Sequence, residues 1–170
     1  MALSTLPTKA LVTPRRYDLA IKWRFFRHLI QGGDPQSVYA YRWHIEARKA
    51  ANAKLNLGMD GKADTDAYVA SAGALCRSMA YNGFDPACAV PVDPDGELLN
   101  GAHRVACALA LGIESVPVSG EGRRVWAPEW GIDWFRANGM DEENLQRLQT
   151  DYYAIAAVES TPHLAASAGE

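Results

Sequence analysis

One short segment, Asn100-Gly101-Ala102-His103-Arg104, places an imidazole and a guanidinium where an apolar run changes into a helical pattern. The first turn of a helix has unpaired backbone N–H groups and a partial positive charge, so it favours an anion. Gly101 lets a ligand approach the backbone, Arg104 can donate two hydrogen bonds to a phosphate, and His103 can carry a proton. The segment therefore predicts a phosphate site. The alternative is a plain turn and helix cap, with Arg104 in solvent.

Three acidic residues, Asp93, Asp95 and Glu97, immediately precede this segment. The sequence DPDG at 93–96 is a turn signal, and an aspartate in such a turn hydrogen-bonds to its own backbone. The other interpretation is that one carboxylate acts as a general base or holds Mg²⁺ during phosphoryl transfer. Glu97 is then the first candidate, because it lies on a predicted strand that leads into the segment, and Asp93 is the second.

Basic residues near the amino terminus are a further group of candidates. Lys22 follows Asp18 by four residues in a helical pattern, which is typical of the solvated face of an amphipathic helix. Lys22 can alternatively reach a phosphate or an anionic substrate, and so can Arg16, which we expect to be more exposed. His44 lies between two apolar residues, so it is either a packed histidine or a third substrate-binding residue.

Composition excludes several classes of protein. The chain has 170 residues and a net charge of −3, which suits one domain and gives no general attraction to nucleic acid. No apolar run is long enough for a membrane span, and the start does not resemble a secretory signal. Three cysteines without C-x-x-C spacing suggest reduced thiols, with Cys107 buried, and four histidines without ligand spacing predict no metal site. We expect a cytoplasmic protein with neither a membrane nor a nucleic-acid partner.

Hydrophobic periodicity predicts an α+β fold, in which a small mixed sheet carries the candidate phosphate turn and is flanked by helices from both ends of the chain. Residues 1–14 are expected as an extended arm, 15–158 as a single domain and 159–170 as a flexible tail. An aromatic-rich, partly looped stretch contains Trp126, Trp130, Trp134 and Phe135, which we expect to form core, a lid or a surface that stacks on a base. The predicted helices cover 15–30, 35–54, 66–82, 103–111 and 141–158, and the predicted strands cover 87–92, 97–99 and 114–118.

The stretch VPVDPDGELLNGAHRVACALALGIESVPV, residues 90–118, resembles the core of the ParB amino-terminal domain and sulfiredoxin superfamily. In that fold a strand, a turn and a second strand precede a G-x-x-R segment at a helix start, and a final strand follows. The resemblance covers about residues 66–118. Residues 15–60 and 123–155 also resemble a branch often encoded beside polysaccharide-synthesis genes. In that branch a D-x-x-x-K pattern, here Asp18 and Lys22, precedes an N-G-A-H-R motif.

The resemblance implies that the G-x-x-R turn binds nucleotide phosphates, which would be those of ATP, ADP or CTP with Mg²⁺. The implied binding residues are Asn100, Gly101, Ala102, His103 and Arg104. Ala102 stands where sulfiredoxins carry their catalytic cysteine, and Cys107, on the helix body, cannot replace it. The chain is therefore not expected to be a sulfiredoxin.

Three functions follow as hypotheses. The first is a nucleotide-dependent phosphotransferase that acts on a small metabolite or sugar, with Glu97, Asp93 or His103 as catalytic residue. The second is a nucleotide-binding switch of the CTP type or a DNA-associated ParB-like module, although no helix-turn-helix pattern follows the motif. The third is a non-catalytic accessory protein of a polysaccharide pathway, for which Asn100 argues, because related sequences often have aspartate there.

Overall fold

The computed structural model describes residues 4–54, 64–120 and 129–156. Trp126, His163 and the predicted tail at 159–170 lie outside the described residues. Three strands are present in this part of the chain: β1 (Ser4–Pro7), β2 (Val90–Val92) and β3 (Ser115–Gly120). The helices are α1 (Asp18–Gln31), α2 (Gln36–Lys54), α3 (Thr65–Asn82), α4 (Ala102–Ala110), α5 (Ile132–Ala137) and α6 (Glu142–Ile155).

The strands form one small mixed sheet in the order β1-β3-β2. β1 runs antiparallel to β3, with Ser4 opposite Val118, and β2 runs parallel to β3, with Val90 opposite the same residue. Helix α4 connects the two parallel strands, as a parallel pair requires. The predicted α+β class, with a small mixed sheet flanked by helices, is confirmed.

The third strand of the sheet is β1, whereas the sequence predicts it at 97–99. Residues 97–99 pair with the end of β2 through an isolated antiparallel bridge, Leu98 opposite Val92, with backbone hydrogen bonds from Asp93 to Glu97 and from Leu99 to Pro91. The backbone carbonyl of Leu98 accepts a hydrogen bond from Nη1 of Arg16 at 2.6 Å. A side chain therefore occupies an acceptor that a neighbouring strand would otherwise use, and the segment does not extend into a strand.

The described residues from Ser4 onward pack into the fold, although we expected an extended arm at 1–14. After β1, a 3₁₀ turn at Thr8–Leu11 buries both of its terminal residues. The hydroxyl of Thr8 donates to the carbonyl of Ile113 at 2.6 Å, and its backbone N–H donates to the carbonyl of Glu114. Apolar side chains and the free edge of β3 together explain why this segment is not an arm.

Helix α4 lies at the centre of the core. It packs against α1 and α3, and Val105, Ala106, Cys107 and Ala108 are fully buried. The expectation that Cys107 is buried is confirmed. Burial raises the pKa of the Cys107 thiol to about 12, and the neighbouring Cys76 of α3 acts in the same direction. Cys107 is therefore an inert packing residue at neutral pH.

The sequence places Tyr39, Trp43 and Ala47 at four-residue spacing along α2, but a different face of this helix is buried. Its buried residues are Ser37, Tyr41, His44 and Ile45, whereas Tyr39 is two-thirds exposed. The polar side chains on this face have hydrogen-bond partners: the hydroxyl of Ser37 donates to the carbonyl of Asp34 at 2.7 Å, and Nε2 of His44 lies 3.3 Å from Nζ of Lys22. Among the described residues, no helix is both long and apolar enough to cross a bilayer.

Candidate functional site

A cavity of about 350 Å³ opens at the amino terminus of α4. The whole predicted segment, Asn100 to Arg104, lines it, and so do Arg16, Arg48 and Trp130. We call this space the anion cavity. The structure thus brings Arg16, one of the three predicted substrate-binding residues, to the same site as the predicted phosphate turn.

Gly101 shapes the rim of the anion cavity. It is the N-cap residue of α4 with φ +86°, a left-handed conformation that favours glycine. A Cβ at this position would lie 2.9 Å from Nη2 of Arg104, so a side chain here would displace that guanidinium. No side chain of the described residues caps α4. The first turn therefore presents its backbone N–H groups towards the cavity.

Arg104 is held at the cavity wall and is not the solvated side chain of the alternative interpretation. Its Nη1 donates to the backbone carbonyl of Cys88 and, at 3.2 Å, to that of Ala89. These contacts tie the first turn of α4 to the segment that precedes β2. The guanidinium position is consequently fixed before any ligand binds.

His103 is oriented by a residue that the sequence analysis missed. Its Nε2 lies 2.8 Å from the hydroxyl of Tyr41, which is fully buried and stacks on Phe25 with ring centroids 4.2 Å apart. Helices α1 and α2 therefore fix the imidazole on α4. No signal in the sequence distinguishes Tyr41, because it lies out of phase with the more prominent spacing of Tyr39 and Trp43.

Beneath the cavity lies a buried network centred on the carboxylate of Asp18. Nε and Nη2 of Arg16 donate to its two oxygens at 2.8 and 3.0 Å, and Nζ of Lys22 donates at 2.6 Å. Nζ of Lys22 also lies 3.3 Å from Nε2 of His44. All four residues are at most 1% exposed, so the expectation of a solvated Lys22 and an exposed Arg16 is wrong. Pairing with Asp18 makes their burial possible.

The network perturbs the pKa values of its members. Burial favours the neutral form of Asp18, but Arg16 and Lys22 outweigh it and hold the pKa of this carboxyl far below its usual range. Burial lowers the pKa of Lys22 to about 8, with Asp18 opposing this shift and Arg48 adding to it. Burial and the charge of Lys22 also hold the pKa of His44 well below its usual value. His44 is therefore neutral at pH 7.

A neutral His44 assigns the proton to one ring nitrogen. An ammonium group can only donate, so Nε2 accepts from Lys22 and Nδ1 carries the hydrogen. The described part of the chain offers no hydrogen-bond partner to Nδ1. Three aromatic rings surround the imidazole, those of Trp130, Trp134 and Phe135, at centroid distances of 5.5 to 5.8 Å.

Trp130 lines the anion cavity and also lies beside the cations of the network. Its ring lies 5.3 Å from the guanidinium carbon of Arg16, 5.5 Å from Nζ of Lys22 and 5.9 Å from the guanidinium carbon of Arg48. These distances allow cation–π attraction. Lys22 and His44 do not line the cavity and contact it only through Arg16 and Trp130. Lys22 and His44 are therefore placed to hold Arg16 in position and not to contact a ligand.

Asp93 and Glu97 do not line the anion cavity. Oδ1 of Asp93 accepts from the backbone N–H groups of Asp95 and Glu97, both at 2.9 Å, which is the turn arrangement that the sequence suggests. Oε2 of Glu97 accepts from the hydroxyl of Thr13 at 3.0 Å. The described lining residues include no carboxylate, and no described group of three His, Cys, Asp or Glu could hold a metal ion. The described residues therefore do not fit a protein-held Mg²⁺.

The buried carboxylate gives a direct test of the network. Asp18→Asn leaves Arg16 and Lys22 buried without an anion, and we expect it to lower the free energy of unfolding by about 3–5 kcal/mol in urea denaturation. Asp34→Asn is the control, because it breaks a partly exposed ion pair with Arg24 and should cost less than about 1 kcal/mol. If both variants lost the same free energy of unfolding, the buried network would contribute no more to stability than a surface ion pair.

The depressed pKa of His44 predicts a pH dependence of stability. Below about pH 6.5 the unfolded state binds a proton at this residue that the folded state does not, so stability falls as the pH decreases. The slope reaches about 1.4 kcal/mol per pH unit for this one group. His44→Gln keeps an acceptor for Lys22 and should remove that contribution between pH 6.5 and 5.5, as measured by urea unfolding. An unchanged slope in the variant would contradict the prediction.

Comparison with known proteins provides no neighbour from which to argue. No family model matches the chain, no curated protein matches it, and no solved structure matches it.

Proposed function

We propose that the anion cavity binds the phosphates of a nucleotide, ATP, ADP or CTP, and that the protein is a nucleotide-dependent phosphotransferase acting on a small metabolite or sugar in the cytoplasm. One observation carries the binding step. Arg16, Arg48, Arg104 and the amino terminus of α4 converge on a cavity whose described lining contains no acidic residue. Guanidinium groups and helix N–H groups are the donors that bind phosphate oxygens in proteins.

Arg16 supports this proposal most strongly. Its described contacts with Asp18 and Leu98 use three of its five N–H groups, and the other two have no described hydrogen-bond partner. The side chain is 1% exposed but lines the cavity, which places a rigid cation at its floor. Arg16 and Lys22 share the single carboxylate of Asp18, and this buried group of three therefore has a net positive charge that an anion would offset.

His103 is the proposed general base. The hydroxyl oxygen of the acceptor forms a bond to the terminal phosphorus, the bond from that phosphorus to its bridging oxygen breaks, and His103 takes the hydroxyl proton. Tyr41 would hold the imidazole in position during this step. Asp93 and Glu97, the alternatives from the sequence, are further from the proposed reaction because neither lines the cavity.

A nucleotide-binding switch without transfer is the second candidate. It is favoured by the composition of the described lining, which offers no carboxylate to the Mg²⁺ that usually accompanies phosphoryl transfer. Both candidates require the same phosphate contacts. Binding and turnover must therefore be measured separately.

The binding step is tested with Arg104→Ala and Arg48→Gln. Each removes a charged donor from the cavity wall. Each should therefore lower the affinity for ATP and for inorganic triphosphate by about 10–100-fold in isothermal titration, equivalent to about 1.5–3 kcal/mol. Arg42→Gln is the control: Arg42 lies on the same helix as Arg48 but pairs with Asp66 at the surface. Binding of wild-type strength in both cavity variants would rule out a phosphate site here.

Turnover separates the two candidates. His103→Gln should lower kcat about 100-fold or more in a nucleotide-hydrolysis or transfer assay, because it removes the proton acceptor, and should change the Kd for nucleotide only slightly. Glu97→Gln should leave both values near those of the wild type. Tight nucleotide binding by a wild-type protein without any turnover would favour the switch.

A further inference from the structure

A second cavity, of about 440 Å³, adjoins the anion cavity. The two share Leu75 of α3 and Arg104 of α4 as lining residues. The guanidinium of Arg104 stands between them and is fixed by the carbonyls of Cys88 and Ala89. A ligand that binds with its phosphates at the first turn of α4 therefore meets this second space directly beyond Arg104.

The wall of the second cavity has a different chemistry from that of the first. Leu75, Met79, Phe84 and Pro86 supply an apolar surface, on which Met79 is buried and Phe84 half-buried. Ser78 and Asn82 add polar side chains at exposed positions of α3. A mainly apolar wall with a few polar groups is typical of sites that bind the organic part of a small molecule.

Charge distinguishes the two cavities as well. The carboxylate of Asp85 lines the second cavity, where it accepts from the backbone N–H of Ala87 at 2.9 Å. A carboxylate repels phosphate, whereas the anion cavity attracts it. A ligand with one anionic end and one neutral end can therefore bind across Arg104 in only one direction.

We infer that the second cavity holds the ring of the nucleotide whose phosphates lie in the anion cavity; we call it the ring cavity. The inference rests on the proposed function, because the phosphate contacts supply the anchor. The expected occupant is a planar, neutral, aromatic group with hydrogen-bonding edges. Phe84 offers a face on which it can stack, and Ser78 and Asn82 offer hydrogen bonds to its edge.

The test compares ligands with and without a ring on the full-length protein. Wild-type protein should bind ATP or CTP more tightly than inorganic triphosphate in isothermal titration. Phe84→Ala should lower the affinity for the nucleotide about tenfold, the loss expected for one stacked ring, and leave the affinity for triphosphate unchanged. Tyr81→Ala is the matched control, because it removes an aromatic residue of α3 that is 91% exposed and does not line the cavity.

A second variant is needed in case Phe84→Ala destabilises the fold. Ser78→Leu places a larger side chain at an exposed wall position, and it should exclude the ring while leaving triphosphate binding intact. The inference is overturned if nucleotide binds no tighter than triphosphate, or if both variants bind nucleotide like the wild type. In those cases triphosphate still binds and the phosphate site stands. Failure of wild-type protein to bind either ligand would instead overturn the proposed function.

Discussion

The carboxylate of Asp18, shared between Arg16 and Lys22 with no access to solvent, is the interaction on which the rest of the structure depends. Each of these groups would be costly to bury alone. Together they connect the start of α1 to the segment that leads into α4, because Arg16 also binds the carbonyl of Leu98. The position of the anion cavity relative to α1 follows from this connection.

Five separate parts of the chain meet at the cavity, and Trp130 completes the arrangement. Its backbone N–H donates to the carbonyl of Arg15, and its carbonyl accepts from the N–H of Tyr17. These two bonds place the indole ring beside the cations of the network. The cavity lies between the residues before α1, helices α2 and α3, the first turn of α4 and the segment before α5, although Arg16 and Trp130 are more than a hundred residues apart.

Local signals in the sequence predict α4 and its flanking strands well, since Gly101 begins a clear helical period and short apolar runs lie on both sides. The burial of Lys22 could not be predicted in the same way, whereas a packed His44 was one of the two interpretations that its apolar neighbours allowed. Helical periodicity assigns cations to the solvated face, and only tertiary contacts with α2 and Trp130 reverse that assignment. The four-residue spacing of Asp18 and Lys22 was the one visible sign of the network, and it is equally common on exposed helices.

Stability alone does not explain a network of this kind. Replacing a buried ion pair by apolar residues of similar volume is often neutral or stabilising, so a gain in stability is not a sufficient reason for a protein to bury these charges. What the network supplies is a guanidinium with a fixed position and unused donors at the floor of a cavity. When a ligand binds to such a group, little conformational entropy is lost, because the side chain is already ordered. In the proposed function, the desolvation cost is met during folding, and Arg16, Arg104 and the first turn of α4 then bind the phosphates with little further ordering.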